Sequence, residues 1–559
     1  MDYPFDIGSS EAGATARTIS TSSATAQRWF DRGLAWTYAY NQEEAVACYR
    51  RALAADAECA MAWWGIAYAA GPFYNRPWDR YTEAEIAKEL PVCYDAACQA
   101  TRHAASASPV EQALITAICL RYQSPDCRDW TTLADWHAEF AIAMRAVQRA
   151  FPDDLDVLAL YAEAAITCTP RALWNLQTGV MNACAHTAEV VPLLERALAD
   201  LERADRIHAG IAHIWIHTIE MSPNPELGLR AADDLRGLWP DAGHLQHMPA
   251  HIDVLCGDYI QALQQSRLAV AADERYLAFA GDRNFYTTAR CHDLHLYMYT
   301  AMFLGQFQPA LYAADRIAAI ATDELLDASA PYMHALLDAY SAMRIHVLVR
   351  FGRWWDLAKL PRITDVERRP IANAMREYGR GVAFAALGQI EAAEQTRQHF
   401  HDAMGNIPSN MILLSNRATE VLGVGEAMLD GELLYRKGRM KAAFSSLRLA
   451  VRRDDNLNYT EPWAWMHPPR HALGALLNEQ GRTSEAQAVF HADLGMDDTV
   501  PRCCQHPGNV WALTGLANTI EHRAGAAIDG AFVQQLRVAK ARADRNILRA
   551  CFCAKSTDV

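Results

Sequence analysis

The sequence predicts an all-α chain, a superhelical solenoid of repeated helix pairs. Three observations carry this expectation. Alanine is abundant and β-branched runs are scarce, which favours helix. Large and small residues return in one pattern near the N-terminus and again near the C-terminus. Short turns place a glycine where a helix should end. A solenoid also accommodates 559 residues without the separate domains such a length suggests, because each repeat packs only on its neighbours.

The clearest repeat is AQRWFDRGLAWTYAYNQEEAVACYRRALAADAEC, residues 26–59. Trp29, Gly33, Trp36, Ala45, Tyr49 and Ala52 fall at the W, G, Y, A, F and A positions of a tetratricopeptide repeat. Trp63 and Ala67 lie 34 residues after Trp29 and Gly33. In such a repeat, small residues like Gly33 and Ala45 let two helices approach, and large ones fill the gaps between layers. Gly431, Leu434, Ala443, Leu447 and Ala450 fit the same pattern, as do Gly474, Leu477, Ala486 and Phe490. Trp511 and Gly515 open a further first helix. The turns CGDY (256–259), LGQF (304–307), FGRW (351–354), LGQI (387–390), RKGRM (436–440) and EQGRT (479–483) each supply a glycine just past a helix end.

This gives a tetratricopeptide-like solenoid over 25–539. Residues 1–24, rich in Ser, Thr and Ala, read as a flexible lead-in, and 540–559 as a fraying tail. The stretches 101–135 and 360–375 are looser and read as insertions between repeats.

Charge and hydropathy exclude several function classes. With 52 Lys and Arg against 66 Asp and Glu, the net charge is −14, and no basic cluster stands out for nucleic acid. No stretch approaches the roughly 20 apolar residues of a membrane span. The opening MDYPFDIGSS lacks the basic and apolar regions of a secretory signal. Fourteen cysteines scattered through a long chain read as mostly reduced, in a cytoplasmic protein. A redox or metal role stays open for Cys551 and Cys553.

The histidines are the candidate chemistry. Six of the 20 lie within residues 208–251: His208, His213, His217, His244, His247 and His251. His213 and His247 are 34 residues apart, and so are His217 and His251. Each pair therefore holds equivalent positions on consecutive repeats. His213/His217 and His247/His251 are also four apart, on one face of a helix. First helices of neighbouring repeats pack side by side at about 8–10 Å along the concave surface, so the four imidazoles should form a rectangular patch there. Aligning Gly305 with Gly257 adds a third row, with His292 over His244, His295 over His247 and Tyr299 over His251. Glu220 lies three residues beyond His217 on the same face. Pro249 should sit early in its helix or kink it.

Imidazoles from two or three helices with a carboxylate beside them suit Zn, Fe, Cu or Ni. One helix cannot hold a compact three-ligand face, because His213 and Glu220 are about 10 Å apart along the axis. The site must bridge helices. The alternatives are histidines that merely satisfy one another and nearby carbonyls, or a metal-free His and Glu acid–base pair.

Two other segments draw attention. YTEPWAWMHPPRHALGALL (459–477) concentrates Glu461, Trp463, Trp465, His467, Arg470 and His471 ahead of a helix. It reads as an inter-repeat turn, or as a pocket wall in which Arg470 holds an anionic group. NFYTTARCHD (284–293) is a similar loop. There is no P-loop, no GxGxxG after a strand, no GxSxG and no HExxH.

The motifs HIWIHTIE (213–220), GHLQHMPAHI (243–252), CHDLHLY (291–297) and YTEPWAWMHPPR (459–470), with the repeat at 41–69, resemble a family of large microbial tetratricopeptide-repeat proteins. That family carries paired HxxxHxxE and GHLxHMPxHI helices, and the resemblance spans about residues 26–520. It implies an α-solenoid and no particular reaction. It places His213, His217, Glu220, His244, His247 and His251 as the metal or active-site set. Asp293 departs from the family, which more often has Asn after this histidine.

The resulting expectation is a metal-dependent enzyme acting on a small molecule in the concave pocket. His213, His217, His247, His251, His292 and His295 bind the metal. Glu220, His244 and Tyr299 act in catalysis, and Arg470 and Glu461 contact substrate. Histidine-rich coordination favours Cu or Fe and hence an oxidoreductase, with a Zn hydrolase or lyase as an alternative. The competing expectation is a non-enzymatic scaffold whose concave face binds a protein or peptide partner.

Overall fold

A computed structural model describes residues 3–8, 17–521 and 530–554. Their regular structure is helical apart from a two-stranded ribbon, Ile412–Leu413 with Asn416–Arg417, and isolated bridges. The fold class is the one the sequence predicts: antiparallel helix pairs of tetratricopeptide type. No described helix is long and apolar enough to cross a membrane. The chain divides into two compact units, one built from Met1–Asn175, Gly179–Ile252 and Arg267–Arg290, the other from Leu176–Thr178, Asp253–Ser266 and Cys291–Val559.

In the first unit α1 (Ala24–Tyr38) and α2 (Gln42–Ala55) form the pair read from the sequence. Ser23 caps α1 by accepting from the Ala26 amide, and Asn41 caps α2 through the Glu44 amide. Gly33 works as the repeat pattern requires. A β-carbon there would lie 2.5 Å from the Tyr49 ring, and one on Gly65 of α3 (Ala60–Ala69) 2.6 Å from the same ring. Tyr49 thus fills the space between three helices, and only glycine on either side leaves room for it. The unit continues through α4 (Glu83–His103), α5 (Pro109–Arg121), α6 (Trp130–Ala150), α7 (Leu155–Thr167), α8 (Thr187–Arg203), α9 (Ala209–Ile219), α10 (Leu229–Leu235) and α11 (Gly243–Cys256). The looser stretch 101–135 therefore contains the whole of α5.

The second unit repeats the pattern in the pairs Pro370–Ala386 with Ile390–Gly405, Ala418–Arg436 with Met440–Asp455, and Pro469–Glu479 with Thr483–Leu494. Residues 360–369 run without a helix into the first of these. Gly431 faces Leu447, and Gly474 and Gly515 both face the Phe490 ring. The six turn glycines, 257, 305, 352, 388, 438 and 481, all have positive φ between 61° and 81°. A left-handed residue ends each helix, and glycine adopts it without steric cost.

Parts of the chain ends read as flexible are packed. Phe5, Ile7 and Ile19 are buried, and the Tyr3 hydroxyl donates to Glu44. At the other end Ile547, Ala550 and Cys553 are buried, and Phe552 lies edge-on to Trp511. Within these segments, residues 1–2, 9–16 and 555–559 lie outside the described residues. Cys551 and Cys553 form a disulfide, and none of the other twelve cysteines is disulfide-bonded.

Candidate metal centre

The centre lies in the first unit, where α9 and α11 carry the motifs 34 residues apart. Every residue of α9 is buried, so this helix presents no polar face to water. His208 caps its start, accepting from the Ile211 amide while its Nε2 lies 3.2 Å from Asp156 of α7. Burial alone would raise the Asp156 carboxyl, but His208, Arg17 and Tyr38 bring it down to about 2. Further along the helix, the His213 and His217 rings lie with centroids 4.9 Å apart, tilted at 43°. Pro249 sits in the middle of α11, past the first turn where its missing N–H would go unnoticed.

The four motif histidines are brought together, with His244 and Glu220 among them. Ring centroids are 5.2 Å apart for His213–His244, 5.8 Å for His217–His251 and 4.6 Å for His247–His251. The cluster expected along the concave surface is buried: all six side chains belong to residues no more than 2% exposed. The cover is aromatic. Tyr40 stacks on His217 and His244 at interplanar angles of 12° and 15°, and its ring centre is 4.4 Å from that of His213. Tyr74 lies 4.7 Å from His217.

Hydrogen bonds fix the imidazole tautomers. His213 Nδ1–H donates to the Tyr38 carbonyl at 2.6 Å, which leaves its Nε2 with a lone pair. His217 Nδ1–H donates to Glu220 Oε1 at 2.8 Å, and His251 Nδ1–H to Glu220 Oε2 at 2.7 Å. One carboxylate therefore orients histidines from two helices. His251 Nε2, without a proton, accepts from His247 Nε2–H at 2.7 Å. The Nε2 atoms of His213 and His217 are buried and have no hydrogen-bond partner. Burial, partly offset by the carbonyl contact, pushes His213 down to about 4. Burial and the neighbouring His213, His251 and His244 hold His217 well below the ordinary histidine range. Both are neutral at pH 7, the form a metal requires.

Ligand atoms of His213, His217 and His244 lie within 4.8 Å of one another, a span one ion bridges after small side-chain rotations. His217, Glu220 and His251 form a second such group. In that group both carboxylate oxygens already accept imidazole N–H groups. This is the arrangement of an outer partner that orients ligands rather than a ligand itself. His244 thus lies with His213 and His217, while the Nε2 atoms of His247 and His251 are 2.7 Å apart.

The remaining sequence candidates lie in the second unit. His295 is buried with neither ring nitrogen hydrogen-bonded, 5.2 Å from the Tyr340 ring, and His292 is half-buried on the same helix, Tyr286–Phe303. Tyr299 is buried against Phe303. Glu461 is buried, and Arg470 makes a two-pronged pair with Asp455 at 2.5 and 2.6 Å. Arg470 was expected to hold a substrate anion, but its guanidinium is satisfied by this carboxylate.

Sequence reasoning missed Tyr40. A signal was present. Gly388, Gln389 and Ile390 occupy turn, cap and helix start in LGQI, and Tyr40, Asn41 and Gln42 occupy the same three places. Tyr40 stands where the other turns have glycine, with φ of 55°. Such strain in a non-glycine residue costs on the order of 1–3 kcal/mol and gathers at functional sites. Beyond it, burial lifts Glu163 of α7 to about 7, against a hydrogen bond from Tyr68 and the charge of Arg121.

No protein-family model and no curated protein matches the chain. Among solved structures it is similar to one titled "Crystal structure of APC/C hetero-tetramer Cut9-Hcn1", at 13% identity, 89% coverage of this chain and 76% of that one, with a TM-score of 0.28. It is also similar to "Structure of Naa15/Naa10 bound to HypK-THB", at 10% identity, 92% and 70% coverage, with a TM-score of 0.21. At these scores neither likeness carries an argument about function. The fold rests on the helix pairs and their glycine turns.

Proposed function

We propose that the histidine cluster holds one transition-metal ion and that the protein is a metal-dependent enzyme, an oxidoreductase acting on a small molecule. The observation that carries this is the pair of buried, unpartnered Nε2 atoms on His213 and His217, beside His244, with each opposite ring nitrogen tied down. Leaving two buried acceptors unsatisfied costs about 1–3 kcal/mol each, a cost that a bound cation removes. Three imidazoles leave a coordination position open, and Glu220 supplies a carboxylate beside them. All-imidazole donors suit Cu or Fe, with Zn hydrolysis as the alternative.

Elemental analysis of the purified protein, before and after reconstitution, tests the proposal. About one equivalent of metal is expected in wild type and in His247→Ala, and less than about a tenth in His213→Ala and His217→Ala. Wild type below about a tenth of an equivalent after reconstitution would sink it.

A second reading is favoured by the repeat architecture itself: a scaffold whose helix faces dock a protein partner. Trp130 and Trp355, 47% and 59% exposed, are large apolar groups available for such a contact. In that reading the cluster is metal-free and the His217→Ala protein keeps its partner.

A further inference from the structure

The second unit contains a pocket of about 270 Å³ whose walls carry three arginines and, among the described residues, no carboxylate. The helices Phe307–Ile320, Met343–Arg350 and Pro370–Ala386 contribute to its walls, and the helix-free stretch 360–369 lines it as well. Two side chains of the last helix hold that stretch. Arg376 Nη1 donates to the Pro361 carbonyl at 2.8 Å, and Arg380 Nη1 to the Leu360 carbonyl at 3.1 Å. The wall is therefore fixed without a ligand, as binding pockets usually are.

The three lining arginines differ in their countercharge. Arg344 pairs with Asp315. Arg369 pairs with Asp323 at 2.7 Å, and its Nη2 also donates to the Ala321 carbonyl at 2.8 Å. Arg376 has no carboxylate within ion-pair distance among the described residues. Its neighbour Glu377 lies 3.3 Å from Arg362 instead. With Nη1 on Pro361, the Arg376 edge that can grip a carboxylate side-on runs from Nε to Nη2, and that Nε has no hydrogen-bond partner. Burial and the neighbouring Arg380 hold the guanidinium below its ordinary range, against the pull of Glu377. That is the direction expected of a cation short of countercharge.

Most of the lining is apolar, including Ala318, Ile345, Leu360, Ile363 and Ala372. An apolar cavity of about 150 Å³ admits a benzene ring. The larger volume here leaves room for a ring and a carboxylate together.

We infer that this pocket binds an aromatic monocarboxylate of about benzoate size, its oxygens on Arg376 and its ring against Ala318 and Ile345. One guanidinium without countercharge calls for one negative charge, and it matches a carboxylate in two parallel hydrogen bonds. The alanines on the wall leave the space that the ring takes. The inference is independent of the metal, since no residue of the first unit takes part.

Titration calorimetry on the full-length chain tests it with benzoate as probe. Saturable binding at millimolar concentration or below is expected. Benzamide, the neutral isostere, and inorganic phosphate, an anion without a ring, should each bind at least about tenfold more weakly. Arg376→Gln should weaken benzoate by about tenfold or more. Ala318 is half-buried on the wall. Ala318→Phe fills the space, leaves the arginines in place, and should weaken benzoate by as much. If Arg376→Gln does not fold, the benzamide and Ala318→Phe arms still decide. Equal binding of benzamide or of phosphate, unchanged binding by either folded variant, or no saturable binding by wild type would each overturn the inference.

Discussion

Two side chains set the character of the candidate centre without being ligands in it. Glu220 accepts from His217 and His251 and so fixes the rotation of rings on two helices. Outer partners of this kind typically change metal affinity by about 10–100-fold, and Glu220→Gln should weaken metal binding within that range while the circular dichroism spectrum stays helical. Competition with a chelator measures it, and an unchanged affinity would remove Glu220 from the role. Tyr40 is the second. Its φ of 55° stores strain, and its ring lies on three histidines. Tyr40→Gly should relieve the backbone and uncover the imidazoles, so that a chelator strips metal several-fold faster than from wild type. Equal stripping rates would mean that the cover lies elsewhere.

At the scale of the element, the helix pairs are held by glycines that face large side chains sixteen residues on: Gly33 and Tyr49, Gly431 and Leu447, Gly474 and Phe490. A β-carbon at Gly474 would fall 2.5 Å from the Phe490 ring, so the ring or the helix must move. Overpacking of this sort costs about 1–3 kcal/mol, and Gly474→Ala should lower the unfolding midpoint accordingly. Adding Phe490→Leu should recover part of the loss in denaturant titrations, because the smaller side chain makes room. No recovery would place the strain in the backbone. These elements were legible in the sequence because small and large residues recur at fixed spacing. The special character of the α1–α2 turn was written there too, as a tyrosine at a glycine position. Its meaning depends on which rings the tyrosine covers.

At the scale of the whole molecule, buried neutral histidines couple stability to pH. His137 accepts from Arg121 Nε and contacts the Ala164 carbonyl, and burial with the Arg121 charge pushes it down from 6.5 to about 3. Below pH 6.5 the unfolded chain binds a proton there that the folded chain refuses, so stability falls as pH falls from 6.5 towards 3. The contribution changes by about 1.4 kcal/mol per pH unit in that window. His137→Gln should remove it, so the stability difference between variant and wild type shifts in favour of the variant as pH is lowered. Denaturant titrations between pH 7 and pH 4 check this, and a pH-independent difference would contradict it.

What the sequence determined by itself was the all-α repeat, the glycine turns that end its helices and the placing of His217 beside His251. All of these follow from periodicity, which is local and survives in one dimension. Tertiary structure alone decided how deeply the histidines are buried. It decided that both Glu220 oxygens accept from imidazoles, and that Arg470 is taken by Asp455. The reason is physical. A ring nitrogen or a guanidinium becomes a ligand, a donor or a lone charge according to what lies within about 3 Å of it. Here those neighbours come from as far along the chain as Tyr38 is from His213.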